Sequence, residues 1–240
     1  MWTASGGEND NVKVTADSVL LVPGGVPMTH DDIEGVESIE CLKAAIPGHL
    51  DLSKGEEKVV SIVGNSHTGM LVAQNFLTSS TPPRKVNVIS LNSLVFAERR
   101  VEDDGLVWTK NDGTGLKGTV AEWVRDAGRG QDGEGVEMVI VKEQSETKGA
   151  IERLGTEVVC YATGFVRSGL PDLIVEGERR NDMYDKYDGF SGRIAGGLYG
   201  AGIGFPERWT DPEGESEYRV GFNVVYKEHL CRIADEMARE

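Results

Sequence analysis

Residues 58–77, KVVSIVGNSHTGMLVAQNFL, decide the fold. They open on Val59-Val60-Ser61-Ile62-Val63, a short run rich in β-branched side chains that predicts a buried strand. A glycine turn follows, Gly64-Asn65-Ser66-His67-Thr68-Gly69, and then Met70, Leu71, Ala73, Phe76 and Leu77 supply the apolar face of a helix. Strand, glycine turn and helix in that order form the context that a dinucleotide-binding fingerprint requires. The first glycine allows the tight turn, and the last allows close packing of helix on strand. A full G-x-G-x-x-G pattern would have glycine where Ser66 stands. Serine keeps a small side chain there and offers a hydroxyl to phosphate. Free amides at the start of the helix attract a pyrophosphate, and the helix dipole adds to that. The same residues also suit a plain strand–turn–helix without a ligand. His67 in this turn is either a donor to phosphate or nicotinamide, or a partly exposed turn residue.

Outward from this stretch, residues 79–83 predict a turn and 85–91 a second strand, completing a right-handed β-α-β crossover with parallel strands. An NAD site would place an acid at the end of that second strand, to bond the ribose hydroxyls. This chain has Ser90-Leu91-Asn92-Ser93 there. A 2′-phosphate could be met by Ser90, by Asn92 or by a cation such as Arg99 or Arg100, so NADP is preferred over NAD. The two arginines equally suit a solvated loop face. Residues 116–126 predict a helix with Leu116, Val120, Trp123 and Val124 on one face. Residues 136–141 predict a strand, 142–148 a polar hairpin turn, and 158–161 another buried strand ending in Ala162-Thr163-Gly164.

The flanks are less regular. Residues 1–11 are polar and expected to fray. Residues 12–14 and 17–25 predict strands, the second running into Pro23-Gly24-Gly25. Residues 38–45 predict a short helix capped by Ser38 and ending before Pro47. The charged residues 176–188 predict a surface excursion, residues 209–220 a polar turn at Pro212 and Gly214, and 220–238 a closing helix with Val224, Leu230, Ile233 and Met237 inward.

Bulk properties narrow the function. The chain has 240 residues and a net charge of −15, which argues against nucleic acid and against an anionic membrane surface. No apolar run approaches the roughly 20 residues that span a bilayer. The N-terminus lacks the basic and apolar regions of a secretory signal, so the expected compartment is cytoplasmic. Thirty-one glycines suit the tight turns of a nucleotide-binding α/β protein. Cys41, Cys160 and Cys231 lie far apart and form no C-x-x-C, so buried structural thiols are expected rather than a disulfide framework, zinc site or dithiol centre. Four histidines without H-x-x-x-H spacing give a metal site no support. No nucleophile with a paired base and no spaced carboxylate pair stands out, so no catalytic acid or base is assigned.

The ordered set of strand plus Gly-Gly-x-Pro at 22–27, G-x-S-x-x-G at 64–69, Ala-Thr-Gly at 162–164 and a Gly-rich segment before the last helix resembles the two-dinucleotide-binding-domain flavoproteins. These are the pyridine nucleotide-disulfide oxidoreductase superfamily and the related flavin-dependent and N-hydroxylating monooxygenases. Residues 112–124, DGTGLKGTVAEWV, and 198–221, LYGAGIGFPERWTDPEGESEYRVG, look like a bacterial and fungal branch of such oxidoreductases. The resemblance implies an α/β fold, with a Rossmann-like NAD(P)-binding domain at 51–155 inserted in a remnant FAD-binding domain at 1–50 and 156–240. It implies NADP or NAD at Gly64, Asn65, Ser66, His67, Thr68, Gly69, Ser90 and Asn92. It places FAD, if bound, against Thr163, Gly164, Ala201, Gly202 and Ile203. The implied work is hydride transfer from NAD(P)H to flavin. Two departures stand against it. The family's N-terminal FAD fingerprint is absent, and so is the redox cysteine pair of its disulfide reductases, which excludes that chemistry. The expectation is therefore an oxidoreductase that is truncated or completed by another subunit covering the incomplete FAD domain. The alternatives are a catalytically inactive NAD(P)-binding module or interaction protein, and an incomplete gene product.

Overall fold

The computed structural model describes residues 2–5, 13–46, 56–127, 136–220 and 228–239. In chain order the elements are β1 (Trp2–Ser5), β2 (Lys13–Ala16), β3 (Val19–Leu21), β4 (Gly25–Pro27), β5 (Glu37–Ile39), α1 (Cys41–Ala45), β6 (Val59–Val63), α2 (His67–Leu77) and β7 (Lys85–Ser90). There follow β8 (Glu98–Val101), β9 (Val107–Lys110), α3 (Gly118–Ala127), β10 (Val136–Ile140), α4 (Glu146–Arg153), β11 (Val158–Tyr161) and β12 (Phe165–Arg167). The chain closes with β13 (Ile174–Val175), β14 (Glu178–Arg179), a 3-10 turn (Asn181–Lys186), β15 (Arg193–Ala195), β16 (Leu198–Gly200), β17 (Glu207–Thr210), β18 (Ser216–Arg219) and α5 (Leu230–Met237). Two compact units result. Met28–Gly164 is continuous and interrupts the other, which is built from Met1–Pro27 and Phe165–Glu240.

The continuous unit is organised on β6. All five of its residues are buried, and it lies at the centre of a five-stranded sheet in the order β10-β7-β6-β11-β5. Every pairing in that sheet is parallel. Parallel strands joined by crossovers are covered on both faces, which is why β6 is a β-branched apolar run broken only by Ser61, whose hydroxyl is paired with Thr156 Oγ1 at 2.6 Å. Alternation sorts its side chains. Val60 and Ile62, with Val86, Val88, Val158 and Cys160, meet Met70 and Phe76 of α2 and Val120 of α3. Val63, Ile89 and Val159 face the other way, onto Ala150 and Ile151 of α4 and onto Ile33. Helices therefore cover both faces, and the chain reverses direction across the sheet between β6 and β11. This is an α/β fold with a Rossmann-like strand order.

Several local expectations are corrected. Ser38 caps nothing. It belongs to β5, which pairs with β11 through Cys160↔Ile39, and only Cys41–Ala45 is helical, with Glu40 at its N-cap. Pairing at the sheet edge outweighs local helix propensity there. That pairing also draws residues 28–46 into the continuous unit, whose limits are wider than 51–155. The polar stretch 142–148 is not a hairpin turn, because β10 runs parallel to β7 and the chain crosses over through α4. It read as polar because only Ala150 and Ile151 of that helix are buried. The strand expected over 17–25 is confined to β3 and is followed by β4. At the N-terminus, β1 is not frayed but pairs antiparallel with β2. Cys41 and Cys160 are buried as expected, whereas Cys231 is exposed. Val12 and Val224 lie outside the described residues.

The discontinuous unit is built from short pairings. A three-stranded sheet, β15-β16-β3, contains the parallel pair β16–β3, and β4–β12 and β17–β18 are antiparallel ribbons. Its core gathers Leu173, Tyr184, Ile194, Leu198 and Phe205, with Tyr199, Ala201 and Ile233 beside α5. Tyr184 thus anchors the charged segment 176–188, which was expected to be a surface excursion. Glu207, fully buried, accepts hydrogen bonds from Arg219 Nε at 2.9 Å and from Arg232. Among the described residues no helix is long and apolar enough to cross a membrane.

Candidate functional site

At the carboxyl ends of β6, β7, β10 and β11 a cavity of about 680 Å3 opens. Such crevices at the point where strand order reverses are where open α/β sheets bind ligands. Its wall contains Gly64, Asn65 and Ser66 after β6, Ser90 and Asn92 after β7, Gln144 and Lys148 around the start of α4, and Tyr161, Thr163 and Gly164 after β11. Residues 28 and 30–33 close it from the side of β11.

The glycine turn is built as the fingerprint logic demands at both ends. Gly64 has φ +109, and a Cβ there would lie 2.3 Å from the carbonyl oxygen of Ala162. A Cβ on Gly69 would lie 2.0 Å from the carbonyl oxygen of Gly64. Only glycine fits either position without displacing backbone. Ser66 differs. It is the N-cap of α2, with φ −70 and ψ −179, an extended geometry open to any residue. That is the physical reason serine suffices in the middle of the motif. Its side chain makes no capping hydrogen bond. A serine N-cap ordinarily satisfies an amide of the first helical turn. Here the Ser66 hydroxyl is left at the cavity wall, next to the positive end of the helix dipole.

The neighbouring polar groups hold the loop in place. Asn65 Nδ2 donates to the Asn92 carbonyl at 2.6 Å, and Ser90 Oγ donates to the same carbonyl at 2.9 Å. Gly64 N donates to Ile89 O at 2.8 Å, and Ala162 N donates to Val63 O at 2.7 Å. Asn65, Ser90 and Asn92 thus lock the turn after β6 to the end of β7. Thr163 Oγ1 lies 2.6 Å from His30 Nε2, and the His30 ring stacks on Tyr161 at 4.1 Å with 12° between planes. Met28 N donates to Gly164 O at 3.1 Å. Burial, then Asp32 and Asp31, hold the Tyr161 phenol above its ordinary range.

The residues singled out from the sequence divide into three groups. Gly64, Asn65, Ser66, Ser90, Asn92, Thr163 and Gly164 converge on the cavity wall. His67, Thr68 and Gly69 form the first turn of α2 behind it. Burial and the nearby Lys117 hold the His67 imidazole below its ordinary pKa. Ala201, Gly202 and Ile203 belong to the other compact unit. Ala201 is buried and donates to the Leu21 carbonyl at 3.0 Å, and Gly202 has φ +82. Arg99 and Arg100 do not line the cavity. They lie on β8, where Arg100 pairs with Glu98 at 2.6 Å. The histidine, carboxylates and lysine that do line it, His30, Asp31, Asp32 and Lys148, were not singled out from the sequence. Their signal is topological: residues 30–32 reach the end of β11, where His30 stacks on Tyr161, and residues 142–148 follow β10, which the sheet order sets beside β7.

No family model matches the chain. It is similar to the monooxygenase AgnR1 of Paecilomyces divaricatus, at 32% identity over 235 residues, covering 89% of this chain and 58% of that protein. Among solved structures it is similar to the NADH:rubredoxin oxidoreductase from Clostridium acetobutylicum, with a TM-score of 0.40 and 13% identity, over 96% of this chain and 52% of that one. The chain is thus similar to a monooxygenase over most of its own length and spans 58% of the length of that relative.

Proposed function

We propose that Met28–Gly164 binds NAD(P)H and that the chain is the nucleotide-binding part of a flavin-dependent oxidoreductase of monooxygenase type. One observation carries the first half. An uncapped helix N-terminus stands at the switch point of a parallel sheet and faces a cavity of dinucleotide size. The group fits the residues present. Ser66 and the first-turn amides of α2 would take the diphosphate, with Gly64 and Gly69 permitting the tight turn and the close packing of α2 that bring them there. The end of β7 offers Ser90 and Asn92 without an acid, which favours a phosphorylated ribose. Bound NAD(P)H supplies a hydride. The protein's own residues bind, orient and exclude water. Similarity to a monooxygenase supports the second half.

Flavin is a different matter. Among the described residues of the discontinuous unit no strand runs through a glycine turn directly into a helix, so no second diphosphate cradle of the α2 kind is found there. A second reading of the same cavity is an NAD(P)-binding module without turnover, which the site at the start of α2 would serve by itself. The two separate in one preparation of the purified chain. Quenching of protein fluorescence by NADPH at micromolar concentration supports both. A flavin absorbance band in the protein, bleached anaerobically by NADPH, supports the oxidoreductase, and a colourless protein that still binds NADPH supports the module. Absence of NADPH binding refutes both.

A further inference from the structure

The cavity has two chemically different ends. At one, α4 follows β10 and brings Lys148 to the wall. At the other, beyond β11, the stacked rings of His30 and Tyr161 stand with the carboxylates of Asp31 and Asp32. Both rings are only half-buried, so part of each remains open to the cavity. The stack is fixed from behind by the 2.6 Å contact of His30 Nε2 with Thr163 Oγ1 and by the Met28–Gly164 backbone bond. The two carboxylates bear electrostatically on Tyr161, which places their charge at this end.

In a sheet of this order, a dinucleotide whose diphosphate lies on α2 sends its adenosine half over the strand after α2. Its other half crosses the switch point to the opposite strand. Here those strands are β7 and β11. We propose that the His30–Tyr161 pair, flanked by Asp31 and Asp32, is the face on which the pyridine ring of the dinucleotide rests, and that this end of the cavity holds the oxidised, cationic ring more tightly than the neutral, reduced one. The proposal rests on the reading of Met28–Gly164 as a dinucleotide site. Two independent forces act in the same direction. An aromatic face attracts a cation through its quadrupole, and two carboxylates within the same cavity attract it through their charge. Lys148, on the helix after β10, is matched instead to the phosphates of the adenosine half. Because Asp31 and Asp32 are exposed, water screens them, and the expected preference is about three- to tenfold rather than orders of magnitude.

The test is calorimetric titration of the full chain with three probes: NADP+, NADPH and 2′-phospho-ADP-ribose, which lacks the pyridine ring. The expected result is a dissociation constant for NADP+ about three- to tenfold below that for NADPH. In the D31N/D32N double variant the ratio falls towards one, while the affinity for 2′-phospho-ADP-ribose stays within about twofold. Tyr161→Leu, which removes the aromatic face, weakens NADP+ more than 2′-phospho-ADP-ribose. Equal or tighter binding of NADPH by the wild type, or a ratio that the double variant leaves unchanged, overturns the proposal. In that case binding of 2′-phospho-ADP-ribose leaves the site itself standing. If 2′-phospho-ADP-ribose does not bind either, the dinucleotide site falls, and this proposal falls with it.

Discussion

Replacing Ser66 by aspartate separates stability from binding, because the structure predicts that the two move in opposite directions. Ser66 has the extended geometry of an N-cap and makes no cap hydrogen bond. Aspartate is among the best N-cap residues. A bond from its carboxylate to the amide of Thr68 or Gly69 contributes about 1 kcal/mol, and its charge at the positive end of the dipole contributes about 0.3–1 kcal/mol. For a chain of this size, about 1–2 kcal/mol raises Tm by roughly 2–8 °C. The same carboxylate would sit beside the site assigned to the diphosphate and would occupy one of its amide donors. Two like unit charges about 4 Å apart repel by about 1 kcal/mol in bulk water and about 4 kcal/mol near a protein surface. The expected loss in NADPH affinity is therefore about ten- to a thousandfold. Differential scanning fluorimetry reads the first effect, and titration of NADPH by fluorescence reads the second. Ser66→Asn is the control, since it caps without charge and should keep most of the affinity. The reasoning is refuted if S66D binds NADPH as tightly as wild type while Tm rises, because a capped, charged helix end could not then be the phosphate site. A fall in Tm would equally contradict the geometry of the cap.

Other outcomes follow from the same structure. Gly64→Ala puts a Cβ 2.3 Å from the Ala162 carbonyl oxygen at φ +109, and should cost about 2–4 kcal/mol in urea unfolding through strain and displaced backbone. Glu207→Gln, which keeps the shape but leaves the guanidiniums of Arg219 and Arg232 without their buried carboxylate, should cost about 3–5 kcal/mol in the same assay. Stability should also fall as pH drops from 7.5 towards 5.5, in part through His229. Burial holds its imidazole below the ordinary 6.5, opposed by Glu207 and reinforced by Arg232 and Arg219. The unfolded chain then binds the proton first, so this contribution is present above about pH 6.5 and is lost as pH falls towards the lower folded value. Its slope cannot exceed about 1.4 kcal/mol per pH unit, and His229→Leu should flatten the profile by that share.

The central β-α-β unit was legible because its physics is local. A parallel strand covered on both faces must be buried throughout, and Val59–Val63 is, its one polar side chain, Ser61, being hydrogen-bonded to Thr156; the sharp turn needs Gly64, and the helix needs Met70 and Phe76 on one side. The buried strand at 158 was legible for the same reason, and the edge strand at 136 from its β-branched and apolar residues around Glu137. What stayed hidden depends on partners remote in sequence. β5 is a strand only because β11 pairs with it more than a hundred residues later, so its Glu-Ser-Ile gave no periodic signal. α4 hides its apolar contact in two residues, Ala150 and Ile151, within an otherwise charged segment. The phosphate-loop half of the cavity was visible in the glycines. The other half was not, because His30, Asp31, Asp32 and Lys148 meet around the cavity only once the sheet has ordered itself. Asn65 and Ser90 were recognised by position, but their donors are turned to the Asn92 carbonyl, a role that no spacing reveals.

The central claim is that the start of α2 holds the diphosphate of a pyridine dinucleotide, and the most direct measurement is a crystal structure of the full chain grown with millimolar NADPH. The account predicts density for the diphosphate against Ser66 and the first-turn amides of α2, with the ligand in the cavity at the carboxyl ends of β6, β7 and β11. Density for the dinucleotide elsewhere on the chain, or an empty cavity at that concentration, would contradict it.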